Sequence, residues 1–203
     1  GGVRQQLISR RGGNTFSGSG SAVYADGGWE PSALTPELVA RGLRQGNKIE
    51  NLATYETGMG GKIVQDRLWW FAAARNQTFN NLVADTSYPD GTQGYTHEYT
   101  RNLSLRMTAQ LTSKTQLTAF YDRVIKYLSH DGLQAGRDPL TAVHESIPSP
   151  NYAQWQIKLT NTLSNRLLVD LGFNHYQAHR VRRFQPGVKQ EYGTAAWLAS
   201  PSH

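Results

Sequence analysis

The sequence predicts an all-β, antiparallel fold of the transmembrane-barrel kind, and three observations carry that prediction. Connections between extended segments alternate between minimal corners (Asp66-Arg67, Ser113-Lys114 and Asn165-Arg166) and long stretches rich in Gly, Pro and Tyr. All corners then lie at one end of the sheet and all long loops at the other, the asymmetry of outer-membrane barrels. Leu103 to Leu111 and Trp155 to Leu163 each alternate in phase over about nine residues, near what a tilted strand needs to cross a bilayer. Trp69, Trp70 and Trp155 fall near strand ends, where a barrel carries its aromatic girdle.

In chain order, Val3 to Ser9 reads as a short strand and Arg10-Arg11-Gly12-Gly13-Asn14 as a turn. Thr15 to Tyr24 is a strand dominated by small residues, which implies close approach by another part of the chain. Asp26 to about Leu52 is a long loop holding a short helix over Pro36 to Leu43, capped by Thr35. Strands follow over Ala53 to Val64 and Leu68 to Thr78. A second loop, Asn80 to Thr96, contains the turn Tyr88-Pro89-Asp90-Gly91. Leu103, Leu105, Met107, Ala109 and Leu111 then share one face of a strand. Thr115 to Lys126 continues after the Ser113-Lys114 corner, and a third loop spans Tyr127 to Asn151. Tyr152 to Ser164 and Leu167 to about Val181 are the last clear strands. A fourth loop begins beyond Arg182, with a possible strand entry at Thr194 to Leu198. Arg123 and Asn161 fall in phase with apolar faces, either at the ends of the apolar band or where the register slips.

Composition narrows the class. No run approaches the roughly 18 apolar residues of a membrane-spanning helix, which excludes a helical membrane protein but not a barrel. The chain has no cysteine, so neither disulfides nor thiolate metal sites are available. Its net charge of +6 is spread along the chain apart from Arg180, Arg182 and Arg183, so solvated loop charge is the simplest reading. Without an aromatic-basic platform, no nucleic-acid partner is expected. No apolar leader follows Gly1 and no closing element precedes His203, so the sequence reads as a fragment. The competing class is a soluble all-β binding module, such as a carbohydrate-binding sandwich, in which the same alternation faces a second sheet.

Two segments carry a family resemblance. Arg10-Arg11-Gly12-Gly13-Asn14-Thr15-Phe16-Ser17-Gly18 is similar to the plug-to-barrel junction of TonB-dependent outer-membrane receptors, typically Lys-Ser-Gly-x-Asn-x-Phe-x-Gly. Gly60-Gly61-Lys62-Ile63-Val64-Gln65-Asp66-Arg67-Leu68-Trp69-Trp70-Phe71 resembles the Gly-Gly-Pro-Ile-x-x-Asp-Lys-x-Phe-Phe-Phe pattern of the same family, closest to its Oar-like branch. Arg11 departs from the usual Ser and Lys62 from the usual Pro. The resemblance implies that residues 1–13 end a plug domain and residues 14–203 begin a barrel. That barrel portion would hold about seven of roughly 22 strands. It further implies a bacterial outer-membrane location and uptake of a scarce ligand such as a siderophore, oligosaccharide or peptide. The expected partners are outer-membrane lipid and lipopolysaccharide, and the inner-membrane TonB complex, which would be reached through plug sequence not in this chain. The motif residues Gly12, Gly13, Asn14, Phe16, Gly18, Gly60, Gly61, Ile63, Asp66, Arg67, Trp69, Trp70 and Phe71 are then structural markers.

Chemistry is otherwise sparse. His175 and His179, four residues apart on a strand, are separated by roughly 13 Å and cannot share one ion. No nucleophile elbow, phosphate loop or calcium-loop spacing occurs, so neither an enzyme nor a cofactor is expected. Arg106, Gln110, Asp122, Gln156, Lys158 and Asp170 would share a polar face that lines a lumen or packs against a plug. Arg180, Arg182 and Arg183 are candidates for lipopolysaccharide phosphate or an acidic ligand. Trp29, Tyr88 and Tyr95 are candidates for stacking on a ligand in the loops.

Overall fold

The computed structural model describes residues 12–32, 34–147, 152–186 and 188. The strands expected at Val3 to Ser9 and Thr194 to Leu198 lie outside them. The described residues form one open antiparallel sheet. Its strands are β1 (Ser17–Asp26), β2 (Lys48–Val64), β3 (Leu68–Ser87), β4 (Gln93–Thr112), β5 (Thr115–Asp131), β6 (Val143–Ile147), β7 (Tyr152–Ser164), β8 (Leu167–Ala178) and β9 (Val181–Arg183). Strands β1 to β5 pair in sequence order. Beyond β5, β7 pairs with Thr115–Arg123 and β6 with Lys126–Asp131, so the two lie end to end on one edge. In the same way β8 borders β7, and β9 borders β6. The nine strands, where about seven were expected, therefore occupy seven positions in an up-and-down order.

Two polar stretches read as loops are strand. β3 runs to Ser87 and β4 starts at Gln93, so most of Asn80 to Thr96 is a hairpin arm. Its turn does fall at Tyr88-Pro89-Asp90-Gly91: Tyr88 N–H donates to Thr92 O at 2.8 Å, and Gly91 has φ +85°. β5 likewise extends to Asp131, and β6 returns beside it. Polar residues sustain these arms because cross-strand partners satisfy them; Asn80 Nδ2, for example, donates to Asn51 Oδ1 at 3.1 Å. The helix α1 is shorter than its pattern, Pro36–Ala40. Thr35 Oγ1 caps it by accepting from Leu38 N–H at 3.4 Å, with Pro36 in the first turn.

The three corners share a device. Register shifts on the incoming strand set Ile63, Leu111 and Leu163 out as bulged residues just before each corner. These side chains are 54%, 56% and 53% exposed, a row of aliphatics at one end of the sheet.

Register also separates the faces. On one face, Met59, Ala72, Leu105, Tyr121 and Trp155 form a row, followed by Trp70, Met107, Ala119, Ile157 and Phe173. Arg123 and Asn161 belong to this face without any slip: Arg123 pairs with Leu103 near its loop end, and Asn161 with Thr115 near its corner end. The opposite face carries Arg106, Gln110, Asp122, Gln156, Lys158 and Asp170. Among the described residues, the extensive contacts are all between hydrogen-bonded strand neighbours, apart from a 3-10 turn (Gly27–Trp29) against β2. Among the described residues no second layer covers either face. The buried hydrophobic residues, Val83, Ala84 and Ala142, sit at the loop end.

Candidate functional site

The two marker segments meet at the β2–β3 corner. Asp66 adopts φ +59°, a left-handed conformation that Asp tolerates better than most residues, and Arg67 N–H closes the turn on Val64 O at 3.1 Å. Asn14, 52 residues earlier, clamps this corner. Its Oδ1 accepts from Asp66 N–H at 3.0 Å and from Trp69 Nε1–H at 2.8 Å, while its Nδ2 donates to Asp66 Oδ1. Glycine is required where the segments touch: a Cβ on Gly12 would lie 2.1 Å from Trp70 O, and one on Gly61 would lie 2.3 Å from the Phe16 ring. Gly60 backs onto Trp70 and Phe71, Gly18 lies in β1 against Gly58 and Met59, and Gly13 borders open space. Ile63 is the bulged residue, and Arg67 O accepts from Gln110 N–H at 2.7 Å, tying the corner to β4.

The three adjacent rings divide between faces. Trp70 pairs with Met107 on the apolar side, whereas Trp69 and Phe71 pair with Thr108 and Arg106 on the polar side. Trp69 therefore does not belong to an apolar-face girdle. The loop-side aromatics of that face are tyrosines instead, with Tyr24, Ala53, Thr78, Tyr99 and Tyr127 in one row. Tyr99 and Tyr127 stack with centroids 5.5 Å apart, and the Arg101 guanidinium lies 4.9 Å from the Tyr99 ring centre.

The polar face carries paired groups around a cavity of about 530 Å³, lined in part by Ser19, Gly58, Phe71, Arg106 and Phe120. Arg75 and Glu56 pair at 2.9 Å beside it. Asp122 accepts from Asn102 Nδ2 at 2.9 Å and from the Ser104 hydroxyl. Lys158 pairs with Asp170 at 2.9 Å further along.

At the loop end, Asp85 (φ +48°) ties two connections to β3. Its Oδ1 accepts from Arg44 and Gln45 N–H at 2.8 and 3.0 Å, its N–H donates to Gln45 O, and its O accepts from Gly136 N–H. Gln93 Nε2 donates to both Gly46 O and Val83 O at 2.9 Å, and Asn47 Oδ1 accepts from Ala84 N–H at 2.8 Å. Thr86, 1% exposed, packs with Gly94 and Pro139. Beside this core a bowl of about 510 Å³ opens on the polar face, floored by Ile49, Phe79, Asn81 and Thr96. Residues 133–135 form one wall, and Glu30, Asn47 and Lys48 form the other.

No family model, curated protein or solved structure matches this chain. The family resemblance thus stands on the marker residues of the sequence alone.

The other candidates are placed as follows. Tyr88 and Tyr95 are half-buried and pack on His130, with ring centroids 6.2 and 4.8 Å away. Trp29 is exposed and meets Tyr24 edge-on at 5.8 Å. Arg182 pairs with Asp131 at 2.9 Å. His175 lies against Trp155 at 5.1 Å, and among the described residues no group of three or more His, Asp or Glu is placed to hold a metal ion.

Ser129 Oγ lies 3.0 Å from His130 Nδ1, but the pair is no catalytic dyad. Both residues are buried, His130 Nε2 is engaged by the Tyr88 hydroxyl at 2.8 Å, and Ser129 Oγ accepts from His97 N–H at 2.8 Å. Burial holds the His130 imidazole below its ordinary pKa of 6.5, and His97 and His144 push the same way. Burial first, then Tyr95, pushes the Tyr88 phenol up to about 12, so it stays a neutral hydroxyl. Asp85, Phe79, Asn81 and the Thr86–Gly94–Pro139 packing carried no sequence signal, because each acts through contacts across the sheet or between loops.

Proposed function

We propose that this chain is part of the barrel of a plugged outer-membrane transporter of the TonB-dependent kind, taking up a scarce ligand into a bacterial cell. The observation that carries the reading is an extended apolar face on which none of the described residues packs as a second layer. Leu105, Ile157 and Phe173 are 43%, 47% and 59% exposed in adjoining rows. Water would not stabilise so large an uncovered apolar patch, whereas bilayer hydrocarbon would. Leu103 to Leu111 covers roughly 27 Å along the strand at about 3.4 Å per residue. At a tilt near 40° that is about 21 Å of membrane, close to the roughly 25 Å apolar band of such barrels. The tyrosines and Arg101 above the band suit lipid and lipopolysaccharide headgroups. The polar, cavity-bearing face would line the lumen. The Asn14 clamp would fasten the strand that leaves the plug, and TonB at the inner membrane would supply the energy through the plug.

The absence of native cysteine gives a clean test. Single Leu105→Cys, Phe173→Cys, Gln156→Cys and Asp90→Cys variants are exposed in whole cells to a bilayer-excluded maleimide. Asp90→Cys should label fastest and Gln156→Cys at a lumen-limited rate, while Leu105→Cys and Phe173→Cys stay unlabelled until denatured. Labelling of the last two as fast as Asp90→Cys would sink the membrane reading and favour a soluble module.

A further inference from the structure

We infer that the loop-end bowl is a binding site for a neutral saccharide. For its place at the outer mouth of a lumen, the inference rests on the membrane reading above. The bowl's volume, about 510 Å³, lies within the roughly 300–1,000 Å³ range of small-molecule sites. A neighbouring cavity of about 370 Å³ shares Glu30, Asn47 and Lys48 with it, so the space suits a ligand longer than one ring.

Its walls are set before any ligand arrives. Asp85 ties the segment before β2 to the loop that contributes residues 133–135. Asn47 is held by Ala84 N–H, and Glu30 Oε2 by Ile49 N–H at 2.9 Å. Such preorganisation lowers the ordering cost of binding.

The lining chemistry selects the ligand class. The half-buried Phe79 offers an aromatic surface on the floor, beside Ile49 and Val83. Asn81, Thr96 and Gln134 supply two amides and a hydroxyl, whose side chains make no hydrogen bond to the described residues. Each such group both donates and accepts, which matches a ligand whose hydroxyls also do both. Glu30 and Lys48 are the only charged lining residues, and their charges offset, so a strongly charged ligand gains little. An extended peptide would call for a free strand edge, but β3 at the floor is paired with β2 and β4 over Phe79–Leu82, and the Ile49 N–H of β2 is engaged by Glu30 Oε2. An apolar surface ringed by neutral polar groups fits a sugar ring, with its C–H face on Phe79 and its hydroxyls on the amides.

The test uses the intact protein purified from membranes in detergent, titrated calorimetrically with maltotriose, cellotriose, xylotriose, trigalacturonate and trialanine. At least one neutral trisaccharide should bind, and Phe79→Ala should weaken it by about tenfold or more, with Asn81→Ala and Gln134→Ala each costing roughly three- to tenfold. Lys114→Ala, in the corner at the far end of the sheet, should leave binding unchanged. The inference is overturned if no neutral trisaccharide binds, if trigalacturonate or trialanine binds more tightly, or if Phe79→Ala has no effect. The maleimide pattern, run on the same preparations, reports the membrane reading separately, so a failed titration with an intact pattern rejects the bowl alone.

Discussion

Replacing Met107 by Arg asks directly what the apolar face touches. Met107 lies midway along Leu103 to Leu111, in one row with Trp70, Ala119, Ile157 and Phe173. If that face meets lipid, the row is near the bilayer midplane, where Arg costs about 2–4 kcal/mol in a barrel. Leu111, four residues on, lies roughly 13 Å further along the strand, or about 10 Å nearer the interface at a 40° tilt. Arg there should cost about 0–1 kcal/mol. In water both substitutions would be close to neutral, because Met107 and Leu111 are 45% and 56% exposed and no layer of the described residues covers them. The assay is reversible urea unfolding of the intact protein in phosphatidylcholine vesicles, following tryptophan emission. Met107→Arg should lower the unfolding free energy by a few kcal/mol more than Leu111→Arg, and Met107→Leu should leave it nearly unchanged. Equal, near-zero costs for both arginines would refute the depth argument and the lipid assignment with it.

Two further outcomes follow from the loop end and the corner. Asn14→Leu removes three hydrogen bonds from an exposed corner and should cost about 1–2 kcal/mol, with a shift of the Trp69 indole N–H resonance; an unmoved resonance would mean the clamp does not form in solution. His130 lies at the loop end of β5, past the Tyr99–Tyr127 row, and its folded pKa is depressed below 6.5. The unfolded imidazole therefore protonates first. The stability His130 contributes is complete above 6.5 and is lost as pH falls from there through the folded value. Amide exchange at Tyr88 and Ser129 should accelerate over that interval, and His130→Gln should flatten the response; an unchanged profile in the variant would assign the pH dependence to another group.

Much of this architecture could be read locally. Leu103 to Leu111 and Tyr152 to Ser164 announce themselves by a period of two, which depends only on neighbours along the chain. The Thr35 cap and the Tyr88-Pro89-Asp90-Gly91 turn are likewise short-range chemistry, and both were legible. The arms over Asn80 to Ser87 and Tyr127 to Asp131 were not, because a polar stretch becomes strand only when a partner strand satisfies it. The site residues divide along the same line. Asn14, Phe16, Gly61, Asp66 and Trp69 were visible as members of two separate segments. The bowl residues Asn81 and Thr96 were visible only as parts of an expected loop, and Phe79 fell between that loop and the strand before it.

By itself, then, the sequence determined the antiparallel all-β class, the corners and the existence of an apolar and a polar side to each strand. Tertiary structure decided which of Trp69, Trp70 and Phe71 faces which way, that Asn14 closes on Asp66, and that the packed core lies among the loops. The reason is range. Alternation and turn geometry are properties of consecutive residues, whereas facing and partnership depend on register between strands. Register is set by bulges at Ile63, Leu111 and Leu163 and by contacts such as Gly12 with Trp70, which join residues far apart in the chain.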